Sequence, residues 1–296
     1  MRLGIDLGGT KIEIIALDSK GNILHRQRVA TPKNNYQETL DTITNLVIDA
    51  EKHLNQTGSV GICTPGVISL ETGLLKNSNS TCLNGMPFKV DLERQLERKI
   101  AIANDANCFA LSEATDGAGK GAEIVFGVIL GTGVGGGIVI NGKILTGCNA
   151  ISGEWGHTPL PWQKKNERPG ILCYCGKHGC IETWLSGTGF SRHFELQFKQ
   201  EQLSKDIVTR AEQGDKRCEQ ALNDYEDRLA RSLSQIINIL DPDVIVLGGG
   251  MSNTKRLYSN IPLHWGKYVF SDSVRTRLLP PVHGDSSGVR GAAWLG

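Results

Sequence analysis

Three cysteines fall within eight residues in the segment Cys173-Tyr-Cys175-Gly-Lys-His-Gly-Cys180. Thiolates at this spacing suit a tetrahedral Zn²⁺ ion, which takes four protein ligands in a structural site. His157 and His178 are the nearby histidines that could supply the fourth ligand, and spacing alone leaves both open. Reactive thiols or a redox pair are the alternative interpretation of the cluster. With no open coordination position, the zinc would be structural and not catalytic.

The segment Asp6-Leu-Gly-Gly-Thr-Lys11 combines an acid, two glycines, a hydroxyl and a cation in one strand-turn-strand unit. The missing side chains of Gly8 and Gly9 let backbone N–H groups surround phosphate oxygens. Thr10 and Lys11 can add donors, and Asp6 can hold Mg²⁺ directly or through water. An ordinary hairpin turn is the alternative. A second glycine-rich segment, residues 131–137, favours phosphate binding, and the pattern matches neither a P-loop nor a dinucleotide-binding fold.

A polar pair, Asn104-Asp105, lies between an apolar strand and a predicted helix. Asp105 is the candidate general base, because an aspartate within hydrogen-bond reach of a hydroxyl can orient it and accept its proton. Phosphoryl transfer depends mainly on positioning and on charge stabilisation, so a base would add roughly 10²–10⁴-fold to the rate. The alternative is that Asn104 or Asp105 simply caps the following helix.

These residues require a framework of strands and helices to position them. Three short strands, Leu3 to Leu7, Ile12 to Leu17 and Ile23 to Val29, indicate an antiparallel meander. Apolar residues at three- and four-residue steps from Tyr36 to Leu54 predict an amphipathic helix over one face of the sheet. The sequence then predicts a strand from Val60 to Cys63, a helix from about Lys89 to Arg98, a strand from Ile100 to Ala103 and a helix beginning near Asp105. This alternation is typical of an α/β fold.

The opening pattern is repeated further along the chain. Residues 127–133 are similar to residues 4–10, which suggests an internal duplication in which Ile129 stands where Asp6 stands in the first copy. A predicted helix of roughly Lys216 to Leu240 precedes the apolar strand Val244 to Leu247 and a glycine triplet. Three glycine-bearing strand ends could therefore meet at one nucleotide.

Composition limits the classes of partner. The chain has 296 residues, long enough for two lobes around a cleft. Its 32 Lys and Arg against 31 Asp and Glu give no electrostatic reason to expect nucleic acid or an acidic membrane surface. The sequence shows no apolar run of membrane-spanning length and no signal peptide, so we expect a cytoplasmic protein. In a reducing cytosol the eight cysteines favour metal ligation or core burial over disulfides.

The paired phosphate segments and the cysteine loop resemble the ROK family of sugar kinases and repressors, within the actin-like ATPase superfamily. The resemblance covers essentially the whole chain and implies an actin-like fold with ribonuclease H-like duplicated lobes around a central cleft. It implies that ATP and Mg²⁺ are bound by three groups of residues: Asp6, Gly8, Gly9, Thr10 and Lys11; Thr132 and Gly133; and, near adenosine, Gly248, Gly249 and Gly250. We expect an N-terminal lobe of residues 1–118, a C-terminal lobe of 119–285, and a final helix of 286–296 that packs back on the first lobe.

The same resemblance assigns a sugar pocket and completes the zinc site. It selects His157, with Cys173, Cys175 and Cys180, as the zinc ligands. It assigns the sugar to Asn79, Asn104, Asp105, Glu154, His157 and Glu182. His157 would then serve zinc through one ring nitrogen and the sugar through the other.

Three further stretches, residues 153–162, 240–253 and 283–294, are similar to the bacterial fructokinase (manno-fructokinase) branch. They predict ATP-dependent phosphorylation of fructose at its 6-hydroxyl, with mannose as a second substrate. The alternatives are a kinase for glucose, N-acetylglucosamine, N-acetylmannosamine or allose, and a sugar-responsive transcriptional regulator of the same family. A regulator would need a DNA-reading module, which the opening of this chain does not provide. Resemblance alone implies a homodimer.

Overall fold

The computed structural model of the chain describes residues 1–78 and 80–296. Strands and helices alternate in its first part. In chain order these are β1 (Arg2–Leu7), β2 (Lys11–Leu17), β3 (Ile23–Ala30), α1 (Tyr36–Leu54), β4 (Ser59–Thr64), the short strands β5 (Val67–Ile68) and β6 (Leu75–Lys76), α2 (Phe88–Gln95), β7 (Ala101–Asn104) and α3 (Asp105–Thr115). The elements predicted for this part are confirmed, with small shifts in their bounds.

The second part opens with a second strand meander and continues into helices. Its elements are β8 (Ile124–Leu130), β9 (Val134–Ile140), β10 (Lys143–Ile144), α4 (Glu182–Leu185), α5 (Gly187–Phe198), α6 (Ser204–Glu212), α7 (Lys216–Leu240), β11 (Val244–Gly248), α8 (Arg256–Trp265), β12 (Arg277–Leu279) and α9 (Ser287–Leu295). Helix α7 has the predicted bounds, and Asp215 begins it by accepting the N–H groups of Arg217 and Cys218. Within 1–78 and 80–296, no helix is both long and apolar enough to span a bilayer.

Two five-stranded sheets have the same topology. The first has the order β3-β2-β1-β4-β7 and the second the order β10-β9-β8-β11-β12. In each sheet the three strands of the meander pair antiparallel with one another. The other two strands run parallel to the strand that begins the meander, which is β1 in the first sheet and β8 in the second. Asp6 and Ile129 occupy equivalent positions, one residue before the ends of β1 and β8. The predicted duplication and the actin-like α/β fold with two domains are therefore confirmed.

Each sheet carries its own apolar core. The first core combines residues of β1, β2 and α1, among them Leu3, Ile5, Ile12, Leu40, Ile43 and Val47. The second core combines β8, β11 and α7, through residues such as Phe126, Val128, Leu222, Leu229, Ile245 and Leu247. The buried positions of α1 recur at the predicted helical steps, so the amphipathic face of that helix is confirmed.

Helices α3 and α9 connect the two sheets. Helix α3 packs on β8 and β9, α9 packs on β1 and β4, and the two helices pack against each other. Their backbones meet at Gly291, where an added Cβ would overlap the carbonyl oxygen of Cys108. Arg290 of α9 also pairs with Asp116 at the end of α3. The last helix of the chain thus contacts the first sheet, while the division of the lobes at residues 118 and 119 remains a prediction.

Candidate functional site

A cavity of about 260 Å³ brings together three of the predicted segments. Asp6 lines it from the end of β1, and Asp105 lines it from the start of α3. The triplet Gly248 to Gly250, which follows β11, closes another side. The acid of the first phosphate segment, the candidate base and the glycine triplet therefore share one space.

The start of α3 fixes the positions of Asn104 and Asp105. Asn104 is the helix cap, because its Oδ1 accepts the backbone N–H of Asn107 at 2.9 Å. Asp105 accepts the N–H of Ala106 at 2.8 Å through one carboxylate oxygen. Its side chain is accessible from the cavity, although surrounding protein atoms desolvate it. Capping is thus the role of Asn104, and Asp105 remains free to meet a substrate.

Burial acts on both acids, and the charge of Asp105 also acts on Asp6. Desolvation raises the pKa of Asp105, although the N–H of Ala106 opposes the shift. Desolvation also raises the pKa of Asp6, where the Cys63 thiol opposes the shift and the charge of Asp105 adds to it. A cation bound beside two desolvated carboxylates stabilises their anionic forms. The donor set therefore fits Mg²⁺, a cation that takes oxygen ligands.

The first phosphate segment is a tight turn between β1 and β2. The N–H of Gly8 donates to the carbonyl of Lys11 at 3.0 Å, and the Thr31 hydroxyl donates to the carbonyl of Gly8 at 2.7 Å. Gly9 and Thr10 are exposed at the tip. The segment is therefore a hairpin turn, and its tip is open to a ligand.

The second phosphate segment lies beside a different cavity, of about 470 Å³. Thr132 and Gly133 line this cavity together with Glu182. The N–H of Gly187 donates to the carbonyl of Gly131 at 2.7 Å, which places the start of α5 against the segment. Sequence reasoning missed this neighbour, although the run Ser186-Gly-Thr-Gly189 has the small and hydroxyl residues typical of a phosphate-binding loop.

One histidine and three cysteines form a compact cluster. The ligand atoms of His157, Cys173, Cys175 and Cys180 all lie within 4.8 Å of one another. His157 Nδ1 lies 3.6 Å from Cys173 Sγ, and the Cys175 and Cys180 sulfurs are also 3.6 Å apart. His178 is outside the cluster, with its Nδ1 at 3.2 Å from the carbonyl oxygen of Gly170. Three thiols and one imidazole fit a closed tetrahedral Zn²⁺ site.

Buried contacts hold this cluster next to β9. His157 ends a short 3₁₀ turn, Trp155–His157, that follows Glu154. Trp155 is buried and donates its indole N–H to the carbonyl of Gly135 at 3.0 Å. Glu154, His157 and Glu182 thereby come close to Tyr174, a residue that sequence reasoning did not select. Asn79, the remaining predicted sugar ligand, lies outside the described residues.

Comparison with known proteins gives a consistent result. The sequence profile of the ROK family matches residues 2–296. An N-acetyl-D-glucosamine kinase of Citrobacter koseri is 40% identical over 299 residues, covering 100% of this chain and 99% of the relative. The enzyme of the same name from Shigella flexneri is 41% identical over 303 residues, with the same coverage.

Solved structures agree with this family match. A ROK hexokinase from Thermus thermophilus superposes with a TM-score of 0.89 at 27% identity, over 100% of this chain and 97% of that one. A ROK family glucokinase from Streptomyces griseus, solved with glucose and AMPPNP, gives 0.77 at 26% identity, over 100% and 98%. A ROK family transcriptional regulator gives 0.84 at 20% identity, over 99% and 77%, and at that identity the likeness concerns the fold alone.

Proposed function

The chain belongs to the ROK family, and on that premise we propose that it transfers the γ-phosphoryl group of ATP to N-acetyl-D-glucosamine. The coarser statement, an ATP-dependent sugar kinase, rests on relatives and structures that match over the whole chain. The observation that supports the acceptor is the full-length identity of about 40% to enzymes named for it. The fructose preference expected from the sequence is not confirmed by these relatives.

The proposed mechanism assigns the chemistry to Asp105 and Asp6. Asp105 would accept the proton of the acceptor hydroxyl as its oxygen approaches phosphorus. Asp6 would hold Mg²⁺, which neutralises charge on the phosphates. The turn Gly8 to Lys11 and the triplet Gly248 to Gly250 would bind the nucleotide. The shared cavity of Asp6, Asp105 and the triplet supports this assignment.

Fructose is the second candidate acceptor. Residues 153–162, 240–253 and 283–294 are similar to bacterial fructokinases, and these stretches contain Glu154, the glycine triplet and the start of α9. Acceptor choice depends on the orientation of single hydroxyls, which a motif does not specify. We also propose a cytosolic location, as expected from the sequence, and a homodimer, which rests on the family resemblance alone.

A coupled ADP-release assay with Mg·ATP tests the proposal. The sugars are N-acetylglucosamine, fructose, mannose, glucose, N-acetylmannosamine and allose, with a control that lacks sugar. The highest kcat/KM on N-acetylglucosamine would support the proposed acceptor, whereas the highest value on fructose would select the second candidate. Turnover on none of them would favour a sugar-sensing regulator and would overturn the kinase.

A further inference from the structure

Glu113 is a buried carboxylate on the helix that begins with the candidate base. Asp105 and Glu113 both belong to α3, and the rise of an α-helix places them about 12 Å apart along its axis. Glu113 is 0% exposed. A carboxylate that is removed from water is costly unless hydrogen bonds replace its lost hydration. The donors around Glu113 therefore have to compensate for that cost.

Four neutral groups donate hydrogen bonds to the Glu113 carboxylate. Its Oε2 accepts the backbone N–H of Ala118 at 2.9 Å and that of Val282 at 3.1 Å. Its Oε1 accepts the Ser287 hydroxyl at 2.8 Å and the backbone N–H of His283 at 3.4 Å. Three of the four donors lie at or just before the start of α9. A side chain of α3 therefore holds a segment that lies about 170 positions further along the chain.

The held segment forms one wall of the cavity that contains Asp6 and Asp105. Residues 281–288, named the wall segment here, contribute four residues to the lining: Pro281, Gly284, Asp285 and Gly288. A Cβ added at Gly288 would lie 3.5 Å from a carboxylate oxygen of Asp6. The glycine triplet that follows β11 lines the same cavity. The wall segment therefore lies where the nucleotide is proposed to bind.

A second acid at the end of α3 adds to this attachment. Asp116 Oδ1 lies 3.1 Å from His283 Nε2, which donates because a carboxylate can only accept. Asp116 also pairs with Arg290 of α9, and Arg290 donates to the carbonyl of Gly21 at 2.8 Å. These contacts hold side chains in and beside the wall segment, whereas two of the bonds to Glu113 hold its backbone.

We propose that Glu113 is a positioning residue for nucleotide binding. Its carboxylate fixes the backbone of the wall segment against α3, and thereby sets the position of that wall relative to Asp105 at the start of the same helix. Because Glu113 is fully buried, it acts through the wall segment and not by contact with a substrate. This inference rests on the proposed kinase function.

This role requires a carboxylate and not an amide. A carboxylate offers two acceptor oxygens, whereas an amide offers one oxygen and an NH₂ group that can only donate. With the NH₂ group toward Ala118 and Val282, both backbone N–H groups lose their acceptor. With the NH₂ group toward His283 and Ser287, the hydroxyl can turn and accept, but the His283 N–H is left unpaired. Glu113→Gln therefore keeps the size of the side chain and releases part of the wall segment in either orientation.

Calorimetric titration of the full-length protein with Mg·AMPPNP tests the inference. Glu113→Gln should raise the Kd of this nucleotide by roughly tenfold, the effect of about one net hydrogen bond. KM for Mg·ATP should rise by a similar factor. KM for the hexose that the wild type phosphorylates best should change by less than about twofold, because the residues proposed for the sugar lie outside the wall segment. An equal rise in the nucleotide Kd and the hexose KM would overturn the inference.

Glu226→Gln is the matched control. Glu226 is also a buried carboxylate, but it lies in α7 and accepts hydrogen bonds from Arg256 at 2.6 Å and Asn260 at 3.0 Å. Because this variant also loses a buried charge, its urea midpoint should fall, while its Kd for Mg·AMPPNP should equal that of the wild type. An equal rise in Kd in both variants would mean that lower stability alone weakens binding, and would refute the positioning role.

Ser287→Ala tests the attachment from the other side. It removes one donor to Glu113 and leaves the contact with Ala118, so it should raise the Kd of Mg·AMPPNP by roughly twofold to fivefold. An unchanged Kd in folded Glu113→Gln would overturn the inference, and if that variant does not fold, the Kd of Ser287→Ala decides in the same way. A wild type that binds no Mg·AMPPNP would instead overturn the proposed function itself, so the two failures are distinguishable.

Discussion

The carboxylate of Glu182 accepts a hydrogen bond from the backbone N–H of Val134 at 2.9 Å. Val134 begins β9 directly after the second phosphate segment, and Glu182 begins α4 two residues after Cys180. Hydrogen bonds to a charged acceptor are stronger than those between neutral groups. One side chain therefore connects the loop proposed for phosphate with the residues proposed for sugar.

Replacing Glu182 should consequently affect both substrates. Glu182→Ala leaves the Val134 N–H without its acceptor, at a cost of about 1–3 kcal/mol. We expect KM to rise for Mg·ATP as well as for the hexose, with kcat/KM lower by roughly tenfold to hundredfold. Glu182→Gln keeps an acceptor oxygen and should spare KM for Mg·ATP more than KM for the sugar. Steady-state kinetics with each substrate varied measure both KM values, and exposed Glu195→Ala is the control. A change in the sugar KM alone would contradict the expectation.

Local patterns explain how much of the fold was predictable. Helices α1 and α7 follow from apolar periodicity, which depends on neighbouring residues alone. The contact of α9 with β1 joins residues more than 280 positions apart and has no local signal. It was therefore expected from the family resemblance alone. The topology of the second sheet became predictable only because residues 127–133 repeat residues 4–10.

The candidate site likewise contains some residues that local sequence patterns predict and others that they do not. The three cysteines were recognisable because their ligand spacing lies within one short loop. Sequence could not decide whether Asp105 caps α3 or serves as the base, since an aspartate can do either and Asn104 can also be the cap. Tyr174 carried no signal, because the residue between two ligating cysteines has no required type. Its contact with His157 depends on the conformation of the loop, which only the folded chain determines.

Asp105→Asn should abolish most turnover while both substrates still bind. The amide keeps the size of the side chain but cannot accept the acceptor's proton, so kcat should fall by roughly 10²–10⁴-fold. Because desolvation raises the pKa of Asp105, wild-type kcat/KM should fall on acidification with a midpoint above its ordinary value of 3.8. Kinetics over acidic to neutral pH, with calorimetric binding of each substrate to the variant, measure both effects. Turnover of Asp105→Asn within tenfold of the wild type would remove Asp105 from the role.

Loss of the zinc ligands should weaken sugar binding before nucleotide binding. Cys180→Ser removes a buried ligand, and we expect zinc content to fall from one ion per chain and the loop 173–180 to lose its order. The sugar KM should then rise more than the KM for Mg·ATP. Cys148→Ser is the matched control, because Cys148 is an exposed cysteine outside the cluster. Unchanged sugar affinity in metal-free protein would contradict the expectation.

Acid stability should depend on Glu167. This buried carboxylate pairs with Arg231 at 2.8 Å and Arg228 at 2.9 Å. Burial alone would raise its pKa, but the hydrogen bonds from Arg231 and its neighbours outweigh burial and lower the pKa to about 2. A lowered folded-state pKa gives stability that is complete above the ordinary value of 4.5 and is lost as pH falls toward 2.

Glu167→Ala should therefore lower the free energy of unfolding at neutral pH by about 3–5 kcal/mol, since it leaves Arg231 buried without its main partner. Urea unfolding of wild type and variant should converge as pH falls from about 4.5 to about 2. Exposed Glu201→Ala should match the wild type throughout. A difference that stayed constant across this range would show that packing, not the ion pair, is what the variant loses.

Gly291→Ala should weaken the crossing of α9 over α3. An added Cβ would overlap the Cys108 carbonyl oxygen, so the two helices must separate, at a cost of roughly 1–3 kcal/mol or more. Gly266→Ala is the control, because a Cβ there meets nothing within 4 Å. Urea midpoints measure the stability of both variants. Since Gly288 of α9 lies beside Asp6, a shifted α9 should also lower kcat, and full stability with full activity in Gly291→Ala would mean that the crossing is not rigid.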